Sequence, residues 1–133
     1  MFLRVRLPFW QVEATLHPTV SVVGRTVHVI GTTDLPDGAL IGYYFWNAAD
    51  DGNWPDGGLV TVRNGRFEFE TDFTGWPGGT ITVYTEFCVS QCDQPQAVID
   101  RFGANAERLS GPQAYSESGD PPTVQATNTF VLP

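Results

Sequence analysis

Acidic and amide side chains are concentrated in one Gly-rich stretch of the sequence. Asp50, Asp51, Asn53 and Asp56 lie within NAADDGNWPDGG, residues 47–58. Their oxygens are ligands of the kind calcium prefers, but the spacing is not that of an EF-hand loop. Because the stretch has no hydrophobic periodicity, we expect a long, solvated, acidic loop. Calcium binding is the alternative, and we expect no other metal or cofactor.

A second group of carboxylates belongs to a segment with strand alternation. Glu68, Glu70 and Asp72 project from one face of this segment, with about 7 Å between alternate residues. Paired carboxylates at such spacing serve glycoside hydrolysis, but a solvated sheet face explains them as well. Only His17 and His28 could act as an imidazole base, and no G-x-S-x-G segment is present. We therefore expect no enzyme.

Two tryptophans precede prolines in predicted loops. Trp54 and Trp76 are each followed by Pro in a Gly-rich segment. Aromatic loop residues suit a protein interface, and flat exposed rings also suit sugar faces. Packing within the domain is the third interpretation. These two residues are the candidate contact residues for either ligand.

The two cysteines lie close together in FCVSQCDQP. Cys88 and Cys92 are near enough in sequence for a small disulfide-closed loop. Such pairs are typical of oxidising compartments. A zinc site is the other interpretation, but no second Cys or His pair follows at ligand spacing.

Alternating hydrophobic residues predict most of the secondary structure. The predicted strands have polar and apolar residues in turn and are separated by Gly, Pro and Asp turn residues. Segments of this kind are 26–32, 66–73, 80–87 and 124–132, with one or two more near the N-terminus, whereas the apolar run 40–46 predicts a buried strand. One short helix is predicted between the strands 80–87 and 124–132, with Asp93 as its N-cap and Gly103 as its stop. The pattern predicts an all-β, antiparallel β-sandwich of seven to nine strands with this one helix.

The clearest turn signal lies in LVTVRNGRFEFETDF. Asn64 and Gly65 are the preferred pair for a two-residue type I′ turn, so we expect a β-hairpin. Phe67, Phe69 and Phe73 share one face of its second strand. The alternation therefore specifies the register of the hairpin.

Composition limits the domain count and the partners. A chain of 133 residues without a charged linker or internal repeat predicts one domain over residues 1–133. The net charge of −8 disfavours nucleic acid and anionic lipid surfaces. No apolar run approaches the roughly 18 residues of a membrane-spanning helix. The opening residues alternate instead of forming a signal peptide, so an exported form would have lost its signal before this numbering.

Four segments carry a resemblance to a known group. They are GTTDLPDGALI, VRNGRFEFETDF, GGTITVYTEF and QPQAVIDRFGANAERLSGP. In this order they resemble the immunoglobulin-like domains of uncharacterised bacterial secreted and surface proteins, over about residues 26–112. The resemblance implies an extracytoplasmic β-sandwich used for attachment or assembly, with no catalytic residues to carry over. In such a sandwich a Trp of the third strand is a usual core residue, which favours Trp46 as core.

The first residues differ from the rest in charge. The segment 1–16 contains Arg4 and Arg6 and alternates polar with apolar residues. It predicts either the first strand of its own domain or an extended arm that adds to the sheet edge of a neighbour.

Taken together, these features predict a non-enzymatic structural or adhesive domain, extracellular or on a cell surface. Its partner would be another protein or a second copy, through sheet edges and the loops 47–58 and 75–79. The alternative is a carbohydrate-binding module that uses Trp54 and Trp76, with calcium held by Asp50, Asp51 and Asp56.

Overall fold

The computed structural model describes residues 11–48, 55 and 57–133, which form ten strands and one helix. The N-terminal strands are β1 (Val12–Glu13), β2 (Leu16–Val23), β3 (Thr26–Thr33) and β4 (Leu40–Asn47). The central elements are β5 (Gly58–Thr61), β6 (Arg66–Asp72), β7 (Gly79–Phe87) and α1 (Gln96–Phe102). The last strands are β8 (Leu109–Ser110), β9 (Ala114–Tyr115) and β10 (Thr123–Leu132).

The strands form an all-β sandwich, as the alternation predicts. A three-stranded antiparallel sheet has the order β2-β3-β6, and a five-stranded antiparallel sheet has the order β5-β4-β7-β10-β9. β1 and β8 form a small parallel pair. Three of the ten strands have two residues each, which is too short to show alternation and explains why the sequence predicts fewer.

The core lies between the two large sheets and consists mainly of alternate residues of their strands, to which the turn after β6 adds Phe73 and α1 adds Phe102. Its largest fully buried side chains are Phe45, Phe67, Phe73, Phe87, Phe102, Leu16, Ile41 and Ile81. The Phe45 ring meets the rings of Phe73 and Phe130 edge to face, with centroids 5.0 and 6.5 Å away. Burial of each such side chain contributes roughly 1.5–3 kcal/mol, so this aromatic cluster is a major source of stability.

The predicted turn at residues 64–65 is confirmed, but the predicted hairpin is wrong beyond it. Asn64 and Gly65 have φ of 53° and 72°, as a type I′ turn requires. Only Arg63 and Arg66 pair across the turn. β5 then pairs with β4, whereas β6 pairs with β3 in the other sheet. The turn therefore links the two sheets, because each strand has a longer partner elsewhere.

Strand β4 is exposed on one face, which corrects the expectation of a buried strand with Trp46 in the core. Ile41 and Phe45 are fully buried, whereas Tyr44 and Trp46 retain 44% and 40% of their exposure. Phe45 takes the central core position. The side chains of Tyr44 and Trp46 lie on the outer face of the five-stranded sheet because successive side chains alternate.

The helix α1 begins later than the sequence predicts. Pro95 occupies the N-cap position without a side-chain cap, and Asp93 lies outside the helix with φ of 56°. Gly103 ends the helix with φ of 92°, as predicted. The buried Phe102 ring lies 5.2 Å from that of Phe87 at the end of β7, so the helix covers one end of the sandwich.

Candidate functional site

The outer face of the five-stranded sheet carries a group of aromatic side chains. The register pairs Tyr44 of β4 with Tyr84 of β7, and Trp46 with Thr82. We call Tyr44, Trp46 and Tyr84 the aromatic face. Scattered apolar side chains are normal on protein surfaces, but a contiguous group of large ones marks a contact surface.

The rings of the aromatic face are ordered by packing on one another. The Tyr44 and Tyr84 rings are stacked, with centroids 4.7 Å apart and an interplanar angle of 12°. Together with Trp46 they line a shallow depression of about 290 Å³. Stacked rings give up little side-chain freedom on binding, so this face has a low entropic cost of association.

Polar groups lie beside the aromatic face, next to Tyr44. Burial and the carboxylate of Glu86 raise the pKa of the Tyr44 phenol above its ordinary value, and Tyr84 and Tyr115 add to the rise. A hydrogen bond with the Gln125 side chain acts in the opposite direction. Tyr44 is therefore a neutral phenol near neutral pH. It offers a hydroxyl donor and acceptor beside an apolar surface.

The arrangement suits a protein contact better than a flat sugar platform. A sugar ring stacks on an open aromatic face, but Tyr44 and Tyr84 turn ring faces toward each other. Tyr44 and Trp46 keep 44% and 40% of their surface exposed beside this stacked pair. Tyr and Trp with apolar bodies and polar tips are the residues enriched at protein interfaces.

The acidic outer face of β6 differs from this aromatic face. Glu68 and Glu70 are exposed, and the Glu68 carboxylate lies 2.6 Å from His28 Nε2. Asp72 accepts hydrogen bonds from the hydroxyl and backbone N–H of Thr74, which lower the pKa of its carboxyl. Within the described residues, no three His, Cys, Asp or Glu side chains are grouped to hold a metal ion.

Most of the contact residues predicted from the sequence lie outside the described residues. This applies to Trp54 and to the acidic residues Asp50, Asp51 and Asp56. Their predicted roles in ligand or calcium binding stay predictions.

Trp76 is half-buried and packs against the hydrophobic core. Its carbonyl oxygen accepts a hydrogen bond from the Arg25 guanidinium, which also donates to the carbonyl oxygens of Phe73 and Pro133. These contacts give Trp76 a structural role in the turn before β7. Its predicted role as a contact residue stays a prediction.

The cysteine pair lies at disulfide distance, as predicted. The Cα atoms of Cys88 and Cys92 are 5.8 Å apart. The loop they close leads to the buried Gln94, whose side chain bonds both backbone groups of Leu40 and the Cys88 carbonyl. Gln94 therefore joins the segment before α1 to the start of β4 and to the end of β7.

Sequence reasoning assigned the aromatic residues of β4 without finding their partner. Alternation groups Tyr44 with Trp46 but does not indicate which face is the outer one. Tyr84 joins them only through the pairing of β4 with β7. The alternation of β7 was the available signal, since it turns Tyr84 away from the buried Ile81 and Val83.

Comparisons with known proteins add no assignment. No protein-family model matches the chain, and no curated protein matches its sequence. Among the described residues, no helix has the length and apolar character needed to cross a membrane.

Proposed function

We propose that this chain is a non-enzymatic adhesive domain that binds a protein partner through its aromatic face. The carrying observation is the exposure of Tyr44 and Trp46 at 44% and 40% beside Tyr84 on a sheet face. Interface hot spots are enriched in Trp and Tyr that lie together in a desolvated centre. The aromatic face has this composition, and outward-facing threonines of β7 and β10 lie on one side of it.

The proposed location is outside the cytoplasm, on a cell surface or in a secreted assembly. The Cys88–Cys92 pair supports this because disulfides persist in oxidising compartments. The order of the strands supports an immunoglobulin-like type of sandwich. Its three-stranded and five-stranded sheets resemble the two sheets of that fold, and the adjacency of β4, β7 and β10 in one sheet supports the proposal.

Selection from a random peptide library displayed on phage tests the proposal without knowledge of the partner. The immobilised targets are the wild-type chain and the double variant Trp46→Ser/Tyr84→Ser. The control is Val23→Ser, which removes an apolar side chain that is 78% exposed on the other sheet. A glycan array is probed with the same three proteins.

Peptides that enrich on the wild type and on Val23→Ser, but not on the double variant, would support the proposal. Glycan binding that the double variant loses would instead assign the face to carbohydrate. Absence of any enriched peptide, or equal enrichment on the double variant, would contradict a protein-binding aromatic face. Circular dichroism of each variant shows that its fold is intact.

A further inference from the structure

The two sheets separate on the side where the turn at residues 64–65 joins them. Arg63 and Arg66 exchange backbone hydrogen bonds of 2.9 and 3.0 Å. Away from this bridge β5 pairs with β4 in one sheet, and β6 pairs with β3 in the other. A cleft of about 300 Å³ opens between them, lined by residues that include Val60, Phe67 and Glu68.

Among the strands that the structure describes, none lies beside the cleft-side edge of β6. The Gly65 carbonyl accepts from Thr33 N–H on the β3 side, whereas the backbone groups of Arg66 point toward β5. Because backbone groups alternate along a strand, those of Glu68 and Glu70 also point away from β3. Within the described ranges, β6 pairs with no strand other than β3 past the Arg63–Arg66 bridge.

This edge has a regular pattern of side chains. Glu68, Glu70 and Asp72 are exposed on its outer side, whereas Phe67 and Phe69 are buried on its inner side. A strand that adds here and matches the edge needs basic residues at alternate positions and apolar residues between them. Such a strand would satisfy the backbone groups and cover the cleft.

The first residues of this chain have that pattern. In FLRVRL, Arg4 and Arg6 alternate with Leu3, Val5 and Leu7. Residues 1–10 lie outside the described residues. In an extended conformation Arg4 and Arg6 share a face and are spaced as Glu68 and Glu70 are.

We infer that residues 3–7 of one copy add as a strand to the β6 edge of a second copy. Arg4 and Arg6 lie against Glu68 and Glu70, and the apolar residues between them enter the cleft beside Phe67. Reciprocal exchange gives a symmetric dimer with two such contacts. This contact is separate from the aromatic face.

A second copy is a better source of the strand than the same chain. The described chain enters the three-stranded sheet at Leu16 of β2, and β2 and β6 are its opposite edges. The edges are about 10 Å apart at two strand spacings. A segment from the same chain would have to pass from the β2 edge to the β6 edge between residue 7 and Leu16, and a segment from a second copy would not.

Sedimentation equilibrium over a concentration series tests the inference with two charge-reversed variants. Arg4→Glu/Arg6→Glu reverses the strand, and Glu68→Arg/Glu70→Arg reverses the edge. We expect the wild type to dimerise and each variant to dissociate at least about tenfold more readily, because like charges then meet. An equimolar mixture of the two variants regains association, since the acidic strand of the first meets the basic edge of the second, and the basic strand of the second meets the acidic edge of the first.

Glu117→Arg/Asp120→Arg is the matched control, because it changes the net charge as the edge variant does at two exposed residues of another loop. It should dimerise at least as readily as the wild type. A wild type that stays monomeric at every concentration would overturn the inference. This holds also if residues 3–7 pair with β6 of their own chain. Dimers that both reversals leave intact, or variants that do not regain association when mixed, would also overturn it.

Thermal unfolding monitored by circular dichroism identifies a variant that fails to fold. Deletion of residues 1–8 then replaces that variant, and we expect the shortened chain to be a folded monomer. Trp46→Ser/Tyr84→Ser should dimerise as the wild type does, and Arg4→Glu/Arg6→Glu should keep its selected peptides. The two surfaces can therefore fail independently.

Discussion

The outer faces of the two sheets differ although the same alternation builds both. On the three-stranded sheet the exposed positions of β3 and β6 include His28, Glu68 and Glu70. On the five-stranded sheet the corresponding positions of β4 and β7 are aromatic, with Tyr44 against Tyr84. Core packing does not require aromatic rings on an outer face. The difference supports the proposal that the aromatic face binds a partner.

Neighbouring residues of β4 give the largest expected contrast. Phe45→Ala should lower the free energy of unfolding by about 3–5 kcal/mol, because it leaves a cavity in the core. Trp46→Ala should cost about 1 kcal/mol, since that side chain is 40% exposed. Urea unfolding measures both. Similar losses for the two variants would mean that the outer face of β4 is packed in the domain instead of available to a partner.

The inner side of the three-stranded sheet gives the next effect. A Cβ at Gly31 would overlap the Phe67 ring, so Gly31→Ala should cost about 1–3 kcal/mol by overpacking. Thr32→Ala, at an exposed position next to it, is the control and should change stability little. Unfolding in urea separates the two. A neutral Gly31→Ala would show that the Phe67 ring has room to shift beside β3.

Ionisation of Tyr44 tests the surroundings of the aromatic face. Burial and Glu86 raise the pKa of this phenol, so Glu86→Gln should lower it part of the way toward its ordinary value of about 10. Stability linked to the raised pKa is present below the ordinary value and is lost as pH rises through the folded value. Carbon-13 NMR of the tyrosine Cζ atoms follows the titration. Glu117→Gln is the control. An unchanged Tyr44 pKa in Glu86→Gln would show that the Glu86 carboxylate does not act on the Tyr44 phenol.

The smallest effect is expected at the acidic end of β6. The Thr74 hydroxyl and backbone N–H lower the pKa of Asp72, so Thr74→Val should raise it toward its ordinary value of about 3.9. The stability from this contact is present above that value and is lost as pH falls through the lower, folded value. NMR titration of the carboxyl carbon measures the change, with Thr80→Val as control. An Asp72 pKa that does not rise would contradict the Thr74 contact.

The local alternation was sufficient to predict the core residues of strands that bury one face. In β3 and β7 the alternation assigns Val27, Val29, Ile81 and Val83 to the core, and all four are buried. The alternation fails in YYFW, because apolar residues on both faces of β4 give no contrast between core and solvent. Only the packing of the second sheet decides that Phe45 is the core residue.

Contacts between distant segments were not predictable from the sequence. Asn64 and Gly65 fix a turn, but the pairing of β5 and β6 with different sheets depends on β4 and β3. The aromatic face likewise requires the register that sets Tyr44 against Tyr84, 40 residues later in the chain. The sequence pattern pointed instead to Trp54 and Trp76, because each precedes a proline in a predicted loop.

Amide chemical-shift mapping with a peptide selected on the wild-type chain tests most directly whether the aromatic face is the binding surface. We predict that the largest shifts lie in β4 and β7 around Tyr44, Trp46 and Tyr84, and that Trp46→Ser/Tyr84→Ser abolishes them. Shifts concentrated in β3 and β6 around His28 and Glu68 would contradict this assignment and give the binding role to the charged face.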